Sequence, residues 1–230
     1  MLRFSSDNDP LSVPLDASSS ALVPDRASAR DTQLWRIRVG LIPLFFASGI
    51  AALVYQVCWQ RLLFVAFGVD IESVTIIVST FMLGLGVGAL IGGELADRFP
   101  QHTLTMFSLT ELTIGAFGIA SPTLIPAIGS VAVRGSLPTI AVANFLLLLC
   151  PTAMMGATLP ILVAYVVRSY RSVGVSIGLL YFVNTLGAVL GAAATGLVTF
   201  YYLGLTATIY VAAALNVIVS AAVWIWLRRA

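Results

Sequence analysis

Gly174–Gly196, GVSIGLLYFVNTLGAVLGAAATG, is apolar enough to sit in lipid, is studded with glycine, and holds one amide, Asn184, near its middle. A helix that merely anchors a protein needs none of this. Gly187 and Gly191 form a small-xxx-small face, which lets a second helix backbone approach closely where lipid gives no hydrophobic drive for association. The segment therefore predicts a packed helix inside a polytopic membrane protein.

Composition agrees. The chain has 230 residues, of which 59% are hydrophobic and 10% charged, with a mean hydropathy of +1.00. Soluble domains carry roughly 25% charged residues. A net charge of +2 argues for no nucleic-acid partner, and all twelve basic residues are arginine. Cys58 and Cys150 have neither a CxxC partner nor a nearby histidine, so no metal site is expected. His102, the single histidine, falls in a short polar loop.

Six spans are expected, at 41–60, 73–95, 104–127, 139–166, 175–201 and 207–227, since a spanning helix needs about 20 apolar residues. Pro151, Gly156 and Pro160 predict a kink or break in the fourth, and Pro122 and Pro126 predict the same near the end of the third. Residues 1–36 are rich in Ser, Asp, Ala and Pro, and read as a disordered cytoplasmic tail. With the N-terminus inside, ten of the twelve arginines fall on inner segments, and only Arg61 and Arg134 lie outside. That bias predicts a multi-pass protein with both termini cytoplasmic. Trp35, Trp224 and Trp226 suit interfacial anchoring.

A shift of 103 residues lays the first three spans over the last three, bringing Leu83, Gly84, Gly88, Ala89 and Gly93 onto Leu186, Gly187, Gly191, Ala192 and Gly196. Three is odd, so the second triplet must be inverted. The expected fold is thus all-α, with six helices in a 3+3 inverted repeat.

Glu111 is the sharpest candidate residue, because an intramembrane carboxylate marks a pathway or a pairing. It either binds a cation or proton, or locks neighbouring helices together by hydrogen bonding. Asn184 and Asn144 complete the candidate intramembrane polar set, and Asn216 reads with them as interhelical glue. Asp97 and Arg98 form a candidate cytoplasmic latch. Tyr55, Gln56, Trp59 and Gln60 cluster towards the outer end of the first span, where they suit either an aromatic belt or a cradle for an amine. Gly84, Gly88 and Gly92 join Gly187 and Gly191 as candidate packing positions. No HExxH, GxSxG or P-loop pattern occurs, so neither a catalytic residue nor a cofactor is expected.

Three stretches carry a family resemblance: 45–68 (FFASGIAALVYQVCWQRLLFVAFG), 79–98 (STFMLGLGVGALIGGELADR), and 154–165 (MMGATLPILVAY) with 178–196 (GLLYFVNTLGAVLGAAATG). Together they resemble the membrane region of bacterial fused major-facilitator/spermidine synthases. The resemblance implies half of a major-facilitator fold and, in the family, a following aminopropyltransferase-like domain. No residue here matches that domain's cofactor glycines or acids, so polyamine synthesis does not carry over. GELADR also resembles a major-facilitator loop, but QHT stands where a basic cluster usually follows.

The function expected first is that of a non-catalytic subunit, docked through glycine-rich faces on other membrane subunits or on a second copy of itself. The alternative is a half-transporter for a small, cationic metabolite such as a polyamine. A membrane partner of a separate synthase-like enzyme comes third.

Overall fold

The computed structural model describes residues 26–67, 71–132, 135, 137–170 and 173–227. These are almost wholly helical: α1 (Arg26–Phe67), α2 (Ile71–Arg98), α3 (Thr103–Ala132), α4 (Leu137–Tyr170), α5 (Val173–Ala194) and α6 (Gly204–Leu227). A 3-10 turn, Pro100–His102, joins α2 to α3. Six stretches are long and apolar enough to cross a membrane: Gly40–Val65, Val74–Arg98, Pro100–Val131, Phe145–Arg168, Ile177–Tyr202 and Gly204–Trp226. The chain is a multi-pass α-helical membrane protein.

Three expectations change in detail. The first helix begins at Arg26, inside the segment read as a tail, where Ala, Arg, Gln and Leu favour helix; residues 1–25 lie outside those described. The fourth helix is not broken: α4 runs continuously through Pro151 and Pro160, and α3 through Pro122 and Pro126. Neighbouring helices and hydroxyl side chains let spanning helices carry proline. Pro122 has no N–H to give to the Gly118 carbonyl one turn back, and the Ser121 hydroxyl donates to that carbonyl instead, at 2.9 Å. The irregularity lies at the end of the fifth span, where a π-turn (Thr195–Thr199) and one further turn (Phe200–Tyr202) lead to Gly204, whose φ of +75° suits glycine.

Packing rests on small residues. The most extensive interfaces join α2 to α4 and α1 to α5, with α3 against α6 next. Side chains on Gly84, Gly88 and Gly92 would run into Thr152, the Ala153 carbonyl and Ala157 of α4. On the other pair, Gly187 and Gly191 of α5 lie against the carbonyls of Phe46 and Ile50, and Gly49 of α1 against Asn184. Gly88 meets the Ala153 carbonyl as Gly191 meets that of Ile50, and 103 positions separate both the two glycines and the two carbonyl residues. Between α3 and α6, Ser108 and Ser220 each donate to the other's carbonyl, at 3.0 and 2.8 Å. Trp226 lies over Gly40 of α1, which replaces a purely interfacial role for that ring with a packing one.

Candidate functional site

All six helices contribute to one internal cavity of about 150 Å³. Its polar lining is Ser48 and Gln56 from α1, Thr158 from α4, Asn184 from α5 and Asn216 from α6; α2 and α3 supply apolar walls through Phe81, Leu85 and Ile114. Directly behind Ser48 and Asn216 sits Glu111 of α3, fully buried. The Ser48 hydroxyl donates to its Oε1 at 2.5 Å, and the Asn216 amide to its Oε2 at 2.6 Å. One carboxylate thus ties three helices together.

The tie does not use up the site's polar capacity. Asn216 is 2% exposed, and its amide oxygen, Oδ1, is buried with no hydrogen-bond partner. Among the described residues Glu111 is the only buried Asp, Glu, Arg or His; Arg61, Glu94, Asp97, Arg98, His102 and Arg168 are all exposed. Among the described residues, no arginine faces the carboxylate from within the bundle. An intramembrane acid marks a pathway or a pairing, and here the described pairing is with neutral hydrogen-bond donors.

The sequence candidates separate accordingly. Glu111 and Asn184 meet at the cavity, with Asn184 on its wall and Glu111 one side chain behind. The Asn144 side chain lies outside the described residues. The aromatic and amide set divides between core and cavity. Tyr55 and Trp59 are fully buried, stacked on each other at 4.7 Å with Trp59 edge-on to Phe117, so they form core and not an outer belt. The cause is α1's inward face: Tyr55 lies against Gly118 of α3, and Trp59 donates its indole N–H to Ser121 at 2.9 Å. Gln56 lines the cavity, while Gln60, one turn further on, lines a wider cleft of about 620 Å³ with Arg61, Phe64 and Phe200.

The latch also differs from expectation. Asp97 is 3.8 Å from Arg168, near the end of α4, while Arg98 lies over the Phe99 ring. Arg168 donates to the carbonyls of Ala96 (2.8 Å) and Pro100 (3.0 Å), and so clasps the end of α2. Where α1 and α5 end, the Arg61 guanidinium lies 4.7 Å from the centroid of Phe200. Sequence reading singled out neither Ser48 nor Arg168. A serine amid apolar residues carries little signal, and an arginine near a span's end reads as ordinary interfacial charge. Cys58 is buried and Cys150 exposed, and among the described residues no group of His, Cys, Asp and Glu could hold a metal.

Fold and cavity together define a polytopic helical membrane protein with a central cavity of mixed polar and apolar lining. No protein-family model matches the chain, and neither a curated protein nor a solved structure is significantly similar to it.

Proposed function

We propose that the chain is a transporter-like module that binds a small polar solute in the cavity formed by its six helices, without a catalytic step. One observation carries this reading: every helix contributes to a polar cavity backed by a buried carboxylate. The hydrogen bonds of Glu111 join three helices, whereas the cavity beside it is lined by all six.

The fold that this reading implies is a 3+3 inverted repeat like half of a major-facilitator transporter. The matched approaches of Gly88 to Ala153 and Gly191 to Ile50 support it, as does the parallel between the α2–α4 and α1–α5 interfaces. A site at the interface of the two repeats is where such folds bind solute. On this reading the Arg168 clasp closes one face. The line from Gln56 to Gln60 and the cleft at Arg61 lead from the cavity to the other. The arginine bias supports a cytoplasmic position for the clasped face, with N- and C-termini inside, and the resemblance to bacterial proteins supports an inner-membrane location.

A second reading, a docking subunit in a larger membrane complex or a pair of identical chains, draws on different residues. Side chains on Gly86, Gly178 and Gly196 would meet nothing within the chain. Glycine inside a helix costs roughly 1 kcal/mol relative to alanine, and a partner helix would account for keeping it there. The family resemblance of 45–68, 79–98, 154–165 and 178–196 is compatible with both readings.

The two are separated by introducing Ser48→Cys into a Cys58→Ala/Cys150→Ala background and adding a small, water-soluble thiol reagent to membranes. A solute site predicts modification at Ser48→Cys; a closed structural core predicts none while a His102→Cys control reacts.

A further inference from the structure

We propose that the cavity binds a small primary ammonium group, taken up by the polar side chains that line it and charge-balanced by Glu111 behind Ser48 and Asn216. This rests on reading the cavity as a solute site. When ionised, Glu111 carries a negative charge that no buried arginine or histidine offsets among the described residues. Asn216, on the cavity wall, spends its amide N–H on Glu111, and its Oδ1 is buried with no hydrogen-bond partner. Leaving such an acceptor unmet costs about 1–3 kcal/mol, so a donor admitted beside it is stabilised. An –NH₃⁺ group offers three donors and a positive charge. Further acceptors are available on the same wall from the side-chain carbonyls of Gln56 and Asn184.

Size and walls narrow the class. A cavity of about 150 Å³ is well below the 300–1,000 Å³ or so of drug-sized ligand sites, so it takes one small head group. Phe81 and Met155 line it too, giving a short alkyl group apolar contact and the ammonium an aromatic neighbour. A quaternary ammonium has the charge but no donor for Asn216.

Equilibrium dialysis of the purified full chain with radiolabelled methylammonium chloride tests this. The expected result is a single saturable site, competed by ethylammonium but not by sodium or tetramethylammonium at equal ionic strength. Binding is expected to weaken at least tenfold in Glu111→Gln and in Asn216→Leu. Gln56→Leu, which does not touch Glu111, gives a second, milder loss should the others fail to fold. No saturable binding by folded wild type, equal binding by folded Glu111→Gln, or equal competition by tetramethylammonium each overturns the proposal. Methylammonium binding without flux of any solute would remove the transport reading alone; flux of an uncharged solute without methylammonium binding would remove the ammonium site alone.

Discussion

Asn216 and Glu111 share one hydrogen bond, 2.6 Å from amide nitrogen to carboxylate oxygen, and it fixes how the polar centre is wired. The amide presents its nitrogen to the acid, and its oxygen is left buried without a hydrogen-bond partner. Asn216→Asp would set a second carboxylate against the first, and like charges in a shared site repel. A clear drop in melting temperature in detergent is expected. Adding Glu111→Gln restores a donor–acceptor pair with the roles exchanged. A double-mutant cycle on the two positions should return a coupling of about 1–3 kcal/mol, and additive effects would deny the contact.

Gly86 and Gly88 lie on the same helix in opposite circumstances. A Cβ at Gly88 would collide with the Ala153 carbonyl, whereas one at Gly86 meets nothing. Gly88→Ala should destabilise the protein by about 1–3 kcal/mol through overpacking. Gly86→Ala should be neutral or stabilising by up to about 1 kcal/mol. Gly191→Ala should match Gly88→Ala, because it faces the corresponding carbonyl of Ile50. Unfolding in mixed detergent checks all three, and a silent Gly88→Ala would contradict the packing.

Ser121 serves two neighbours at once, accepting from the Trp59 indole and donating to the Gly118 carbonyl that Pro122 leaves free. Ser121→Ala strands both in a buried setting and should cost about 1–3 kcal/mol. The Trp59 environment should change with it, read as a fluorescence shift that Ser130→Ala, at an exposed site, does not produce.

Arg168 acts through carbonyls more than through Asp97. The carboxylate is 3.8 Å away and 83% exposed, and exposed ion pairs contribute about 0–1 kcal/mol. Asp97→Asn should therefore leave stability within about 0.5 kcal/mol of wild type. Arg168→Lys gives up the two-pronged donation to Ala96 and Pro100, so it should behave like Arg168→Ala and not like wild type. Thermal unfolding of the three variants separates these outcomes.

The helices were legible because lipid imposes length and apolarity on every span, and only their ends needed side-chain context. Gly84, Gly88, Gly187 and Gly191 announced close packing through spacing alone. Glu111 stood out as an acid in an apolar run. Its partners did not, since Ser48 lies 63 positions away and Asn216 lies 105 away, and nothing local in the sequence joins them. Tyr55 and Trp59 misled for a related reason. Aromatics near the end of a span look like an interfacial belt until the glycine opposite, Gly118, is seen to make room for them. The prolines of α3 and α4 predicted breaks, but a serine hydroxyl beside Pro122 supplies the bond that proline lacks.

Movement of a solute through the polar centre of this bundle, as proposed, is read out by a release assay. Liposomes containing the purified protein are loaded with a defined mixture of small amines, polyols and neutral amino acids. The solutes retained after dilution are then quantified by mass spectrometry. The account predicts that at least one solute leaves wild-type liposomes at least tenfold faster than protein-free liposomes, and that Glu111→Gln returns it to the protein-free rate. Release of every solute at the protein-free rate from liposomes holding folded wild-type protein would contradict it.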